Sequence, residues 1–473
     1  MPLTPPPDLM KAPARPAAGT LVILALCASY AVYCLATMPP GPVTAPDSSG
    51  YLAFAPIHVL GYPLFLKLLG ARGAMIAQPI IFSVALASLG VETLRLTSSW
   101  LLAAAVVVAS TAVPELKTYH YSVLTESLFI SGLLAFLAAL VRFVRKPSLA
   151  SLARLSIIAA LTAIVRQTGM AMVPVVPIVV LMYWHELRAA RLKVLAAAVM
   201  PFVVIYGGER AAARVLHGDR ITSLMGRHLF AKAALIDAPT APSASADPQR
   251  AHFDQYLDVT YAGIRTFLDA APRNIRGVLT LYYETCLQGP CVPELGTTSA
   301  AFTERGLNDD LGRAGRGRIA RAPVNFVWLT VEEYRSLWTG FRLRHPETAP
   351  ALTAFVAAHR PLPFEREVFK VGPGDAVEFR GTAAVRFIQP VVFTLGWITG
   401  ALALLALAAA AARRPLPRRL AVACLASLTA HGALLFTALF AAGIGRFMLG
   451  VWPVVAVSAL FGVAFVAASV RDV

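Results

Sequence analysis

Ten stretches of nearly continuous apolar sequence, separated by connections that carry arginine, constrain this chain more than any motif in it. They lie at residues 19–38, 74–94, 100–113, 122–141, 155–165, 170–183, 194–206, 387–412, 420–440 and 447–469. An upright helix needs roughly 20 apolar residues to cross a bilayer, and several of these are shorter, so about ten spans are expected, give or take one or two. In hydrocarbon every backbone N–H and C=O must find a partner inside the protein, which leaves helices as the reading. Composition agrees: 57% of the 473 residues are hydrophobic and 14% charged, with a mean hydropathy of +0.65, far from a water-soluble domain. The expected fold is an all-α polytopic membrane protein.

The formal net charge of +16 would ordinarily suggest nucleic acid. Its distribution points elsewhere. Residues 209–386 hold 22 basic and 19 acidic side chains, leaving 20 basic against 7 acidic in the membrane part. There the bases fall at alternate connections: Lys11 and Arg15; Arg95; Arg142, Arg145, Lys146 and Arg154; Arg188, Arg191 and Lys193; Arg413, Arg414, Arg418 and Arg419; and Arg471. Lys/Arg-rich short loops stay cytoplasmic, so the amino terminus is expected inside. The opposite connections carry only Lys67, Arg72, Lys117, Arg166 and Arg446. Val43-Thr44-Ala45 resembles a signal-peptide cleavage site, but the long apolar region before it favours an anchor.

Three regions follow: residues 1–208, an N-terminal transmembrane region with a first outer loop at 39–73; 209–386, long enough for a mixed, mostly helical periplasmic domain; and 387–473, the C-terminal membrane helices. Within the middle region, 238–248 reads as a flexible tract, and 256–267 and 324–338 have helical spacing with aromatic faces suited to packing on the membrane top. Cys27, Cys34 and Cys424 fall in spans and read as small apolar packing residues. Cys286 and Cys291 flank a Gly-Pro turn in the outer domain, where an oxidising compartment permits a disulfide; free thiols are the alternative, and no second pair completes a zinc site.

With this orientation Asp47, His58, Glu115, His120, Glu126, Arg166 and Arg446 share the outer side, and ionisable groups at membrane depth invite a functional reading. Each also has a plain structural one. Asp47 or Ser48 is placed to cap a short helix. Arg166 and Arg446 have the length to snorkel to headgroups. Glu126 suits the first turn of a helix through its dipole. Glu115, Lys117 and His120 read as a solvated polar loop.

The run Asp47-Ser48-Ser49-Gly50-Tyr51, followed by Gly61-Tyr62-Pro63-Leu64-Phe65-Leu66, resembles the first outer loop of GT-C glycosyltransferases, a group that includes protein O-mannosyltransferases and bacterial aminoarabinose and core-sugar transferases. Leu124-Thr125-Glu126-Ser127, Val165-Arg166-Gln167-Thr168-Gly169 and Gly445-Arg446-Phe447 with Pro453 resemble later features of that family, in the same order and on the same side. The resemblance covers the membrane part only. It departs in two places: Ser48 stands where many relatives have a second acidic residue, and His58 lies where an arginine is common.

The resemblance implies transfer of a sugar from a polyprenyl-phosphate donor to a cell-envelope acceptor, whether glycan, lipid or protein, at the periplasmic face of a bacterial inner membrane. It implies Asp47 as general base, helped by partial desolvation. Arg166, Arg446 and His58 would hold the donor phosphate, with Tyr51, Tyr62 and Glu126 in support. No resident cofactor is implied with certainty; a divalent metal stays open, although Ser48 beside Asp47 gives no indication of one. The competing readings are a glycan polymerase or ligase, a transporter of envelope precursors, and a noncatalytic assembly protein. A transporter commonly shows internal repeats and charges at the bilayer midplane, and neither is visible in the sequence. Mass spectrometry of the nonreduced protein is expected to show Cys286 joined to Cys291; both thiols free would remove that bond.

Overall fold

A computed structural model describes residues 15–44, 47–113, 116–218, 225–240, 248–270, 304–339, 383–440 and 445–471. Among them the regular structure is helical, and the one β-type feature is an isolated parallel bridge between Val43 and Ser122. The first half contains α1 (Arg15–Ala36), α2 (Ser48–Leu52), α3 (Gly61–Thr97), α4 (Trp100–Thr111), α5 (Leu116–Tyr121), α6 (Glu126–Arg145) and α7 (Leu149–Val165). A 3-10 turn (Gln167–Met172) leads into α8 (Val175–Met182), α9 (Trp184–Leu187) and α10 (Arg191–His217). Then come α11 (Met225–Ala233), α12 (Pro248–Ala270), α13 (Glu304–Arg321), α14 (Pro323–Thr339), α15 (Ala383–Ala411), α16 (Arg418–Phe440) and α17 (Gly445–Arg471).

Among the described residues, seven helical stretches are long and apolar enough to cross a membrane, from α1, α3, α6, α10, α15, α16 and α17; α4, α7 and the Gln167–Met182 stretch are apolar but shorter. Helix ends follow local chemistry. Ser99 accepts from the Leu102 N–H to start α4, and Ser148 and Ser151 form a capping box that starts α7. Gly70 breaks α3 into two limbs with φ of 68°, a backbone region that glycine enters without penalty. The expected span at 74–94 lies in the second limb, and the end of the expected first loop is helical from Gly61 onward.

Helix α6 is the centre of the bundle. Phe136, Leu137 and Leu140 are fully buried, and α6 packs against α3, α7, α16 and α17. Leu21 on α1, Val84 on α3, Leu192 and Val204 on α10 and Trp397 on α15 are instead exposed. Apolar side chains presented on so many faces need a nonaqueous solvent. Cys27, Cys34 and Cys424 are buried free thiols, as their positions within apolar runs suggested.

The middle region is helical where described. Segments 256–267 and 324–338 fall inside α12 and α14, while Cys286 and Cys291, and residues 241–247 of the tract at 238–248, lie outside the described residues. Helices α11, α12 and α13 enclose a small core around Phe230, Phe253, Leu257 and Leu311. The buried Arg318 ties it together, donating to the Ile236 carbonyl at 3.0 Å and pairing with Asp258. Helix α14 joins the membrane bundle: Leu337 and Trp338 belong to its main core, and Trp338 stacks on His431 of α16 with ring centroids 5.0 Å apart. Lys232 of α11 pairs with Glu333 of α14 and donates to the Ala438 carbonyl of α16 at 2.6 Å. Helix α10 runs through Glu209 to His217, so residue 209 sits within a helix.

Both Lys232 and Glu333 are essentially inaccessible. Removing one member of such a pair strands the other charge, whereas replacing both with apolar groups of similar volume removes the desolvation cost as well. Lys232→Met is therefore expected to destabilise the protein by about 3–5 kcal/mol, and the Lys232→Met/Glu333→Leu double variant by clearly less, in thermal unfolding of detergent-solubilised protein. Equal losses would show that the pair is not the determinant.

Candidate functional site

Three segments far apart in sequence converge where α6 begins and α7 ends. The first outer loop is fastened to the connection between α5 and α6: the Val43 N–H donates to the Tyr121 carbonyl at 2.8 Å, and the Val123 N–H to the Val43 carbonyl at 2.9 Å. The buried Ser48 hydroxyl adds a bond to the Val123 carbonyl at 2.9 Å. Beyond α2, the Leu60 N–H donates to Glu209 Oε1 at 2.9 Å, joining the loop to α10. A Cβ on Gly61 would stand 2.5 Å from the Ile164 carbonyl, so the start of α3 touches the end of α7 directly beside Arg166. Only glycine fits that approach without displacing backbone.

Inside this frame Tyr51 is the hub. Its ring lies 4.0 Å from the His58 ring and 5.1 Å, edge to face, from that of Tyr62. Its hydroxyl stands within interaction range of Thr125, Arg166, Glu126 and Asp47. Burial pushes the Tyr51 hydroxyl pKa up and Arg166 partly offsets it, so the phenol remains protonated at neutral pH. Gly50 makes room for the His58 ring, since a Cβ there would come 2.5 Å from Nε2.

Arg166 leaves α7 in an extended conformation, with φ of −151°. Its guanidinium meets Glu126 Oε1 at 2.9 Å and Thr125 Oγ1 at 2.7 Å, and covers the Phe129 ring at 5.8 Å. Glu126 is thus the counter-ion of Arg166 as well as a first-turn residue of α6. A phosphate arriving at Arg166 would share the guanidinium with that carboxylate. Glu126, Phe129, Arg166 and Thr168 line a crevice with Thr437 of α16 and Gly450 and Val451 of α17. Its free volume is about 10 Å³, room for about one water, so a sugar phosphate would have to open it.

Asp47 precedes α2 and is exposed, so the partial desolvation expected of it is not found. Its side chain makes no capping hydrogen bond, so Asp47 itself does not cap α2. It lies near enough to influence both Tyr51 and His58. Burial lowers the His58 pKa below 6.5 and Asp47 offsets this only in part, so at neutral pH the ring meets a ligand as a neutral hydrogen-bonding group. The phosphate contact that the resemblance assigns to His58 would then rest on hydrogen bonding and not on charge. The backbone of Arg446 lies in the first turn of α17, one turn before Gly450 of the crevice; its side chain, like Glu115, lies outside the described residues.

The expectation of a solvated loop at His120 is corrected. His120 is fully buried in α5, with Nδ1 at 2.7 Å from the Ser127 hydroxyl and Nε2 at 3.2 Å from the Tyr30 hydroxyl. Gln78 donates to the His120 and Ser122 carbonyls at 2.9 and 3.3 Å, binding the connection to α3. Lys117 does lie at the surface, donating to the Tyr33 hydroxyl at 2.9 Å. The polar residues around His120 gave no periodic signal of burial, because its partners Tyr30 and Ser127 come from two other helices. Compared with protein-family models, curated proteins and solved structures, the chain matches none.

Burial pushes the His120 pKa down to about 3. The unfolded histidine takes up a proton near 6.5 that the folded one refuses, so its contribution to stability is complete above pH 6.5 and is lost as pH falls toward 3, by at most roughly 1.4 kcal/mol per pH unit. Thermal unfolding between pH 7.5 and 4.5 is expected to show this slope, and His120→Gln to flatten it while lowering stability at pH 7.5. An unchanged slope in the variant would exclude His120 as its source.

Proposed function

We propose that the chain is an integral-membrane glycosyltransferase that moves a sugar from a polyprenyl-phosphate donor to a cell-envelope acceptor at the periplasmic face of a bacterial inner membrane. The observation that carries the reading is the convergence just described: the loop holding Asp47, Tyr51 and His58 is tied to Thr125, Glu126 and Arg166, the same segments that resemble GT-C enzymes. In this reading the seven long apolar helices and the three shorter ones make ten spans. The arginine-rich ends lie in the cytoplasm and the middle region outside.

Asp47, exposed at the mouth of the loop, accepts the acceptor hydroxyl's proton as its oxygen attacks the anomeric carbon. The bond from that carbon to the donor phosphate oxygen breaks, the lipid phosphate departs with the electron pair, and one displacement inverts the centre. Arg166 faces the charge on the departing phosphate, and Arg446, one turn from the crevice on α17, is its companion. Glu126 holds the Arg166 guanidinium in place before substrate arrives. Tyr51 sets the loop against that ion pair. His58 serves as a neutral hydrogen-bonding partner for the phosphate or the sugar.

A transporter would place its decisive charges near the bilayer midplane, whereas the Arg166 pair and the Asp47 loop lie together at helix ends. A polymerase or ligase would share this surface and differ in the size of the unit transferred. Membrane preparations supplied with labelled polyprenyl-phosphate sugars test the reading. Asp47→Asn is expected to cut transfer by at least about 100-fold, the lower range for loss of a general base, with insertion and abundance unchanged. Arg446→Ala should weaken donor use more than acceptor use. Wild-type turnover in Asp47→Asn would exclude the general base, and no transfer by folded wild-type protein across a broad donor set would overturn the enzymatic reading.

A further inference from the structure

The opposite end of α6 carries a second charged cluster that the proposed chemistry does not use. Glu92, near the end of α3, has a side chain only 8% exposed, yet three guanidinium groups gather on it. Arg95 approaches at 2.9 Å, Arg145 at 3.1 Å and Arg142 at 3.8 Å. Arg95 and Arg142 remain 55% and 42% exposed, so each is anchored from below and open from above. Arg154 of α7 joins them at the rim and pairs with no carboxylate among the described residues. One carboxylate among four arginines leaves a net charge of +3.

The cluster stands at the mouth of a groove of about 550 Å³ between α3 and α6, with Arg95, Arg142 and Arg154 at its rim. The groove walls come from Ala87 and Val91 at helical spacing on α3 and from Ala135, Ala138 and Ala139 on α6. Leu24 of α1, Val84 of α3 and Ile158 of α7 complete the apolar lining. From Ala135 to Arg142 the groove runs about 10 Å along the helix axis. An apolar slot leading away from a ring of bases, at the end of helices that cross a membrane, matches in shape and charge a lipid with a negative headgroup.

We infer that this groove binds an anionic two-chain phospholipid, its phosphate against Arg142, Arg95 and Arg154 and the upper part of one acyl chain between α3 and α6. The lipid belongs to the leaflet on the arginine side, opposite the Asp47 loop, and the inference needs only that the chain spans a membrane. Glu92 is not a competing ligand: it holds Arg95 and Arg142 from below, so that their outer faces form one phosphate seat with Arg154. A zwitterionic lipid brings a positive group into the same field and is disfavoured.

The test uses delipidated full-length protein in neutral detergent, titrated with phosphatidylglycerol or phosphatidylcholine and read by native mass spectrometry and by the thermal unfolding midpoint. Phosphatidylglycerol is expected to bind at least about tenfold more tightly than phosphatidylcholine and alone to raise the midpoint. The Arg142→Gln/Arg154→Gln variant, which leaves Glu92 paired with Arg95 and Arg145, should lose that preference about tenfold or more. Ala138→Leu, which fills the slot without altering charge, should weaken binding with all arginines present, and decides the matter if the arginine variant fails to fold. Equal binding of the two lipids, unchanged preference in a folded arginine variant together with unchanged binding by Ala138→Leu, or an equal midpoint shift from inorganic phosphate alone would overturn the inference.

Discussion

A charge placed in hydrocarbon must be paired, hydrated or moved to the membrane edge, and the central helix α6 shows how this chain meets that demand. Glu126 opens the helix and Arg142 and Arg145 close it, with fully buried apolar side chains between. The ends are about 24 Å apart from Glu126 to Arg142, close to the thickness of a bilayer's hydrocarbon core. Each end neutralises part of its charge through another helix: Glu126 through Arg166 of α7, and Arg142 and Arg145 through Glu92 of α3. These pairings fix the height of α3 and α7 relative to α6. The two polar regions of the bundle follow from that alignment.

At the Glu126 end the pairing has a second consequence. Thr125 and Arg166 become a platform for the loop after α1, which has little regular structure of its own. The loop is held by the bridge at Val43, by Ser48 and by Tyr51, and the close approach of Gly61 to the Ile164 carbonyl brings the start of α3 against the same platform. Positioning an exposed carboxylate such as Asp47 on a loop requires this kind of anchoring, because a five-residue helix such as α2 is not stable in water without tertiary support. The buried His120 reinforces the anchor from beneath, through Tyr30 and Ser127.

The middle region is joined to the bundle by a different device. Helices α11 to α13 bury a small core of their own around Phe230, whereas α14 inserts Leu337 and Trp338 among the membrane helices. The Lys232 and Glu333 pair lies at this junction and reaches the last turn of α16 through the Ala438 carbonyl. Burying a full ion pair costs free energy that an apolar contact would not, and what it adds is register between α11, α14 and α16.

Much of the helical architecture was legible in the sequence because lipid solvation acts residue by residue: an apolar run of sufficient length reports its own environment. The helices at 256–267 and 324–338 and the burial of Cys27, Cys34 and Cys424 were legible for a similar reason, through period and composition. Gly70 was not read as a kink, since a glycine in an apolar run does not declare its φ. Tertiary structure alone decided that Glu126 serves Arg166, that Glu92 gathers arginines from α3 and α6, and that His120 is enclosed rather than solvated. Apart from the local pair Glu92–Arg95, those contacts join residues from 7 to 90 positions apart, and their free energy depends on distance and local dielectric, which no local pattern encodes.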